Sequence, residues 1–294
     1  MAKLSILGAG GWALGLAILL NNNGHDVTVW SKVKAELDGI REEGENKKSL
    51  PGVKIPKEIK LCEDLKTVVA DADIVVMAVA SPFVRSTAKE VASLGINNIQ
   101  MVNVAKGIEE DSLMTMTAII REEIPDVRIA ILSGPSHAEE VSRGIPTTCV
   151  IGADSKEYAE YLQNIFMSEV FRVYISPDVL GIELGGSLKN VIALAAGIAD
   201  GLGYGDNTKA ALITRGIHEI ARLGVAMGGK LQTFYGLSGM GDLIVTCASM
   251  HSRNRRAGIL MGQGKSMKEA MDEVHMVVEG VYSAKAAHEL SVKY

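Results

Sequence analysis

The chain opens on a short apolar run, Leu4–Leu7, followed by a glycine-rich turn, a helix-length segment at 12–22 and a β-branched run, Asp26–Trp30. A strand, a helix and a strand within about 30 residues make up a βαβ unit. Further apolar runs, separated by helical stretches, lie at 74–80, 99–104, 128–132, 147–151 and 170–175. Strands that read as continuous apolar runs are buried on both faces, which is typical of a parallel, doubly wound sheet.

Residues 41–60 are polar, contain two prolines and are expected to form a loop. The larger change in the pattern comes near residue 176. From Pro177 onward the β signals fade, and segments rich in Ala, Leu, Ile, Gly and Met alternate with glycine breaks. We therefore predict an α/β protein with a Rossmann-type domain at 1–176 and an all-helical domain at 177–294. A strongly apolar helix at 191–199 is expected to begin near Lys189 and Asn190.

Composition narrows the function. The 294 residues are 47% hydrophobic, enough for two packed domains. With 30 Lys and Arg against 35 Asp and Glu, the net charge is −5, so the surface offers no general attraction for nucleic acid or an anionic membrane. Any anionic ligand needs a local basic pocket.

Neither the cysteines nor the apolar N-terminus adds a function. Cys62, Cys149 and Cys247 are odd in number and lack CxxC spacing, so we predict no disulfide framework and no metal site, and a reducing, cytoplasmic setting. The apolar segment 4–20 is broken by glycines and falls short of the ~20 residues that span a bilayer. We expect no membrane insertion.

In the segment from Gly8 to Ala13, the glycines Gly8, Gly10 and Gly11 follow a strand and open a helix. They form either a plain glycine turn or a dinucleotide-binding fingerprint, and their place in the first βαβ unit favours the fingerprint. Glycine allows a tight turn and close approach of a pyrophosphate, and the helix N-terminus offers N–H groups to the anion. About twenty residues later, where NAD-selective sites place an acid, the chain has Ser31 and Lys32. We expect these to receive a 2′-phosphate, so that NADP(H) is accepted or preferred; the alternative is that Lys32 is an ordinary solvated lysine.

Polar residues follow two of the predicted strands. Lys106 ends the run at 99–104, and Gly134 and Ser136 follow the run at 128–132. Open α/β sheets bind ligands at this edge, although a lysine at a strand end can also face solvent.

Two charged groups in the helical half are candidates for a reacting site. Lys189 lies in an apolar helix, where a lysine is unusual unless it meets a charge or a reacting group. Asp242 follows a glycine cluster and suits a partner for that lysine and also a helix N-cap, two roles that are compatible with each other. The arginines at 253, 255 and 256 are either a phosphate-binding pocket or a solvated helix face.

Seven motifs stand in one order along the chain: Gly8-x-Gly10-x-Trp12, Ala105-Lys106-Gly107, Ser133-Gly134-Pro135-Ser136, Leu188-Lys189-Asn190, Gly239-x-Gly241-Asp242, Ser252-Arg253-Asn254 and Val278-Glu279-Gly280. In this order and spacing the chain resembles the bacterial NAD(P)-dependent sn-glycerol-3-phosphate dehydrogenase family over essentially all 294 residues. The joint pattern is far more specific than any single motif.

The resemblance implies a Rossmann domain followed by a helical domain of the 6-phosphogluconate dehydrogenase C-terminal type. It implies interconversion of dihydroxyacetone phosphate and sn-glycerol 3-phosphate by hydride transfer with NADP(H) or NAD(H), with the product feeding phospholipid synthesis. It implies no nucleic-acid partner and leaves a homodimer open. Such sequences usually run some tens of residues beyond Tyr294, so we expect the helical domain to lack its last helices.

The resemblance also assigns residues. Lys189 is the implied proton donor and acceptor, supported by Lys106 and Asp242, while Asn190 and Thr246 match other active-site positions. The implied substrate contacts are Lys106, Gly134, Ser136, Lys189, Asp242, Ser252, Arg253 and Asn254. The implied cofactor contacts, including the fingerprint, are Gly8, Gly10, Gly11, Trp12, Ser31, Lys32, Lys106, Ala138, Arg253, Val277 and Glu279.

Three positions depart from the family pattern: Gly11 stands where serine is frequent, Ala13 replaces a glycine, and Ser31-Lys32 replaces a basic pair containing arginine. These departures bear on cofactor preference more than on fold. Two other functions remain open at this point. One is a related two-domain hydroxyacid dehydrogenase that grips a carboxylate, and the other is a non-catalytic dinucleotide-binding sensor.

Overall fold

The computed structural model describes all residues from Met1 to Tyr294. Its N-terminal part is built on an eight-stranded sheet with the order β3-β2-β1-β4-β5-β6-β7-β8. The strands are β1 Lys3–Leu7, β2 Asp26–Trp30, β3 Lys60–Cys62, β4 Ile74–Met77, β5 Gln100–Asn103, β6 Arg128–Ser133, β7 Thr147–Ala153 and β8 Phe171–Ser176. Neighbouring strands from β3 to β6 pair in parallel, and so do β7 and β8. The first six strands have the order of a dinucleotide-binding Rossmann sheet.

Nearly every residue of the central strands is buried, because helices cover the sheet. The helices of this part are α1 Gly11–Asn22, α2 Lys34–Glu43, α3 Leu65–Ala70, α4 Val84–Ser93, α5 Met116–Glu123, α6 Ala138–Val141 and α7 Lys156–Phe166. The aliphatic core includes Leu4, Leu14, Val29 and Leu132, each almost fully buried. The predicted strand, glycine turn and helix at the N-terminus are confirmed as β1, the turn at 8–10 and α1.

Two local predictions for the sheet were wrong at their ends only, since residues 44–59 have no helix or strand, as expected of a loop. The segment 41–60, expected to be a loop, contains the last turn of α2 and the first residue of β3. The edge strand β3 has only three residues, too few to leave a periodic signal. The apolar run at 74–80 forms a strand only as far as Met77, and a one-turn 3₁₀ helix follows at Ser81–Phe83.

The C-terminal part is helical, as predicted. Its helices are α8 Val179–Gly201, α9 Asp206–Ala226, α10 Leu231–Phe234, α11 Asp242–Ala248, α12 Arg253–Gly262, α13 Met267–Val274 and α14 Glu279–Lys293, with a π-helical turn at Leu237–Gly241 before α11. A second apolar core includes Leu184, Leu188, Phe234 and Leu243.

The helix that carries Lys189 begins earlier than the sequence suggested. It starts at Val179, where the side chain of Asp178 accepts a hydrogen bond from the amide of Gly181. Lys189 and Asn190 therefore lie in the middle of a 23-residue helix and not at its start. The prediction failed because Gly185 and Gly186 read as a break, whereas in the fold they lie inside the helix.

The chain forms two compact units, and each unit is made of more than one segment of the sequence. The sheet unit comprises Met1–Ala105, Met116–Leu132 and Ser136–Pro177. The helical unit comprises Asp178–Tyr294 together with two segments inserted from the sheet region, Lys106–Thr115 and Ser133–Pro135. Both Lys106 and Gly134 thus belong to the helical unit.

Helix α8 is the one helix that is long and apolar enough to cross a membrane by length and composition, yet 72% of its most apolar window is buried inside the protein. This burial is what a core helix shows. It packs most closely on α12.

The contact between α8 and α12 is lined by glycines on both helices. A Cβ on Gly197 would lie 2.1 Å from the carbonyl oxygen of Arg255, and one on Gly258 would lie 2.2 Å from that of Leu194. Gly201 and Gly262 repeat the arrangement one turn on. Because the obstructing atoms are backbone, the two helices must separate or slide to admit any side chain.

We expect Gly258→Ala to destabilise the helical unit by about 1–3 kcal/mol, the usual cost of overpacking a close contact. The matched control is Gly39→Ala in α2, where a Cβ would meet nothing within 4 Å, and which we expect to be neutral or stabilising by up to about 1 kcal/mol. Calorimetric melting of both variants makes the comparison. Equal melting temperatures for the two would show that the contact tolerates a methyl group.

Candidate active site

Two lysines in the helical unit share one buried carboxylate. Lys106 Nζ lies 2.5 Å from Asp242 Oδ2, and Lys189 Nζ lies 2.5 Å from Asp242 Oδ1. Asp242 and Lys189 are 2% and 6% exposed and so are shielded from water, whereas Lys106 is half-buried. The sequence-based expectation that Asp242 partners Lys189 agrees with this geometry.

Thr246 completes the surroundings of Lys189. Its hydroxyl lies one helical turn after Asp242, donates to the Asp242 backbone carbonyl at 2.6 Å and accepts from Lys189 Nζ at 2.6 Å. The bonds to Asp242 and Thr246 use two of the three N–H groups of the Lys189 ammonium. The remaining N–H has no protein acceptor and is the group available to a ligand. Lys106 is held similarly, by Asp242 and by the carbonyl of Gly134 at 3.2 Å.

The pKa values in the cluster follow from burial and from these three charges. Burial lowers the pKa of Lys189 to about 8; Asp242 opposes this fall, and the nearby Lys106 adds to it. For Asp242, burial alone would raise the pKa, but the two lysines outweigh it and hold the pKa below its ordinary value. The carboxylate is therefore ionised at neutral pH, and Lys189 can both hold and release a proton near that pH.

Local backbone structure places Asp242. It is the first residue of α11, and Gly241 takes the N-cap position, so the expected N-cap role of Asp242 was wrong. The preceding π-helical turn is packed so closely that a Cβ on Gly239 would lie 2.0 Å from the carbonyl oxygen of Phe234. A Cβ on Gly185 of α8 would lie 2.9 Å from the Ser238 carbonyl oxygen. Glycines on both sides thus let the turn lie against α8, one turn before Lys189.

A second polar network adjoins Lys189 along α8. Asn254 Nδ2 donates to Asn190 Oδ1 at 2.9 Å, and Asn254 Oδ1 accepts from the amide of Gly280 at 2.8 Å. These bonds bring together α8 and the N-termini of α12 and α14. Glu279, the first residue of α14, is buried, and Val277 is half-buried just before it.

The N-terminus of α12 holds the remaining predicted substrate residues of the helical unit. Ser252 caps the helix by accepting from the amide of Arg255, and Arg253 is its first residue. Arg255 bonds to the protein itself: its Nε donates to Asp200 at 2.8 Å, and its Nη1 donates to the Ala248 carbonyl at 2.7 Å. The arginine cluster is therefore not one uniform basic face.

In the sheet unit, the turn between β1 and α1 fits a dinucleotide. Gly8 has φ +125°, and a Cβ there would lie 2.9 Å from the Ala78 carbonyl oxygen, so the tight turn needs glycine. Gly10 is the N-cap of α1 and supplies no side-chain cap, which leaves the first-turn N–H groups for an anion. The indole Nε1 of Trp12 is buried without a partner. A Cβ on Gly11 would lie 2.5 Å from the Ser49 carbonyl oxygen, a close approach that suits glycine here.

The other predicted cofactor residues of this unit are dispersed. Ala138 begins α6 and packs on α1, and Ser136 precedes it in the β6–α6 connection. Ser31 and Lys32 follow β2, and each has a carboxylate partner: Glu36 for Ser31 and Glu90 for Lys32.

Two polar residues that bond to the predicted site segments were not predicted from the sequence. Ser187, two residues before Lys189 in α8, donates to the Gly107 carbonyl at 3.1 Å and so holds the segment that carries Lys106. Glu36 lies in the first turn of α2 and reaches back to Ser31. An acid five residues after Ser31 was visible in the sequence, but only the turn between β2 and α2 brings it back to that serine.

A Rossmann sheet with a glycine turn after its first strand, and a helical unit with a buried lysine–carboxylate cluster, together define a two-domain nicotinamide-dinucleotide dehydrogenase. Two family models match the chain. Residues 3–159 match the NAD-dependent glycerol-3-phosphate dehydrogenase N-terminus, and residues 178–294 match the C-terminus of the same family. The chain belongs to the NAD-dependent glycerol-3-phosphate dehydrogenase family.

Individual relatives agree. The glycerol-3-phosphate dehydrogenase [NAD(P)+] of Fusobacterium nucleatum is 61% identical over 296 residues, covering 100% of this chain and 88% of that protein. The protein of the same name from Agathobacter rectalis is 57% identical over 294 residues, with coverage of 100% and 88%. The crystal structure of glycerol-3-phosphate dehydrogenase from Coxiella burnetii superimposes with a TM-score of 0.95 at 35% identity, covering 99% of this chain and 90% of that one.

We expect Asp242→Asn to destabilise the helical unit by about 3–5 kcal/mol, because removing one member of a buried ion cluster leaves the others uncompensated. Chemical denaturation followed by circular dichroism measures the effect. Asp206→Asn is the matched control, since that carboxylate is fully exposed and 3.7 Å from Lys209. An Asp242 variant as stable as the control would mean that the two ammonium groups do not depend on this carboxylate.

Proposed function

We propose that this protein interconverts dihydroxyacetone phosphate and sn-glycerol 3-phosphate with NADPH or NADH. The observation that carries the proposal is the environment of Lys189, whose ammonium group is buried in an apolar helix. Two of its N–H groups donate to protein acceptors, and the third has no protein acceptor. Membership of the family supports the reaction, and the names of relatives at up to 61% identity support the substrate and the cofactor.

The chain's own residues would hold the cofactor at the glycine turn of the sheet unit. The first-turn N–H groups of α1 would receive the pyrophosphate, and the unpartnered Trp12 Nε1 would donate to the same ligand. When bound, a nicotinamide dinucleotide supplies or takes up a hydride. We further assign Gly8, Gly10, Gly11, Ala138, Val277 and Glu279 to cofactor contacts.

Lys189 serves as the proton donor in ketone reduction and as the acceptor in the reverse direction. Reduction of a carbonyl builds negative charge on its oxygen, which an adjacent ammonium stabilises and protonates. Asp242 and Thr246 fix the direction of the third N–H, because they hold the other two. Lys106 adds a second positive charge on the far side of Asp242.

The N-terminus of α12 is the proposed phosphate site. A guanidinium fork matches phosphate oxygens, and helix N-termini favour anions. Arg253 begins this ten-residue helix, between Ser252 and Asn254. The phosphate does not react, but binding it would hold the substrate so that its carbonyl group lies in position for the reaction. Gly134 and Ser136 are proposed as further substrate contacts.

The wider setting follows from the same proposal. A Rossmann domain at 1–176 would bind the cofactor, and a helical domain at 177–294 would carry the catalytic lysine. The three cysteines form no disulfide, which suits a cytoplasmic enzyme. Glycerol 3-phosphate would supply phospholipid synthesis, and a homodimer is compatible with this role.

The direct test is oxidation of NADH and NADPH driven by dihydroxyacetone phosphate, compared with small 2-keto acids. We expect turnover with the phosphorylated ketone and little with keto acids. Preference for a keto acid would favour a hydroxyacid dehydrogenase, and dinucleotide binding without any turnover would favour a sensor.

We expect Lys189→Ala to lose turnover by several orders of magnitude while the dissociation constant for the dinucleotide changes little. The variant should fold, since Asp242 keeps its bond to Lys106. Stopped-flow turnover and a fluorescence titration of the dinucleotide give the two readouts, with Lys268→Ala, an exposed lysine of α13, as the control. Near-normal turnover in Lys189→Ala would refute the assignment.

The pH dependence should report the same group. Because the pKa of Lys189 is lowered to about 8, the ammonium is present below that pH and lost above it. The rate of ketone reduction should therefore be level below about pH 8 and fall above it, whereas alcohol oxidation should rise through the same range. A reduction rate that stays level to pH 10 would contradict this role.

A further inference from the structure

We propose that Glu36 makes the protein selective for NAD(H) over NADP(H), by supplying from helix α2 the acid that the end of β2 lacks in sequence. This inference rests on the proposed function, and it departs from the expectation that Ser31 and Lys32 receive a 2′-phosphate. In Rossmann sheets, an acid about twenty residues beyond the fingerprint accepts a hydrogen bond from the ribose 2′-hydroxyl. Ser31 stands at that position, one residue after β2 ends.

The single proton of the Ser31 hydroxyl is already used in a hydrogen bond within the protein. The hydroxyl donates to Glu36 Oε2 at 2.7 Å and accepts from the amide of Val33 at 3.1 Å. A hydroxyl has a single proton to donate, so Ser31 cannot donate to a phosphate without giving up Glu36. Ser31 is 5% exposed, and this bond is therefore part of the packed turn between β2 and α2.

Glu36 is held in place from two directions. It lies in the first turn of α2, where the helix dipole favours a carboxylate. Its backbone amide donates to the Val33 carbonyl at 3.0 Å, which closes the turn that brings the side chain back to Ser31. The carboxylate is half-buried and has oxygen lone pairs left to accept a ribose hydroxyl.

Neither of the two lysines nearest to Glu36 in sequence, Lys34 and Lys32, forms an ion pair with it. Lys32 Nζ lies 2.5 Å from Glu90 Oε1, and their side chains are 71% and 40% exposed. Such an exposed pair is weak, and it places the Lys32 ammonium on Glu90 and not on Glu36. The next residue, Val33, is exposed and apolar and offers nothing to a phosphate.

The two cofactors differ in the group on the 2′ carbon of the ribose, and a carboxylate can distinguish these two groups. The 2′-hydroxyl of NAD(H) donates a hydrogen bond to a carboxylate, whereas the 2′-phosphate of NADP(H) is a dianion with only acceptors near neutral pH. Two like charges a few Å apart near a protein surface repel enough to change a binding constant by about tenfold or more. We therefore expect NADH to bind at least about tenfold more tightly than NADPH.

The test is direct binding, measured without substrate. The fluorescence of each reduced dinucleotide is titrated with wild type, with Glu36→Gln and with Glu42→Gln. The Glu36 variant keeps an acceptor for Ser31 but loses the charge, so we expect the NADPH-to-NADH ratio of dissociation constants to fall about tenfold. Glu42→Gln removes the same charge from an exposed position on the same helix and should leave the ratio unchanged.

The outcomes separate this inference from the proposed function. Equal or tighter binding of NADPH by wild type overturns the inference, and so does a ratio that Glu36→Gln leaves unchanged. A ratio that favours NADH and falls in Glu36→Gln supports it. That result without any dihydroxyacetone phosphate reduction overturns the proposed reaction while leaving the selectivity in place, and failure of both dinucleotides to bind overturns both.

Discussion

The buried carboxylate of Asp242 is the constraint on which the site depends. It holds Lys106 on one oxygen and Lys189 on the other, each at 2.5 Å. The buried ammonium of Lys189 cannot stay charged beside the half-buried ammonium of Lys106 without a counter-charge. With only one carboxylate for two lysines, the cluster keeps an excess positive charge, which suits a developing oxyanion and helps to lower the pKa of Lys189 to about 8.

The surrounding fold serves to place that carboxylate and the groups beside it. Glycines let the π-helical turn before Asp242 lie against α8, and glycines on α8 and α12 set those two helices in close contact. The contact fixes the N-terminus of α12, and the bond between Asn254 and Asn190 ties it to the helix that carries Lys189. The proposed proton donor and the proposed phosphate site thus lie on two helices that pack closely against each other.

Much of this could be predicted from the sequence because the strands are apolar runs and the motifs are local. The eight-stranded sheet differed mainly at its edge, where β3 is too short to leave a pattern. The start of α8 was misplaced because the sequence does not show that Gly185 and Gly186 pack against other backbone and side chains. Glu36 was missed for the same reason: its role depends on a turn that returns the side chain to Ser31. Local patterns identify residue types at a site, whereas tertiary contacts decide which partner each one meets.

The claim that one carboxylate holds the buried Lys189 and the half-buried Lys106, and so tunes Lys189, is tested most directly by nuclear magnetic resonance of the protein with ¹³C-labelled lysine side chains. Titration of the Cε signals reports each lysine's pKa without substrate or cofactor. The account predicts one lysine signal that titrates near pH 8, is absent in Lys189→Ala and moves to lower pH in Asp242→Asn. If every lysine titrates near its ordinary value of about 10.4, the account of the site is contradicted.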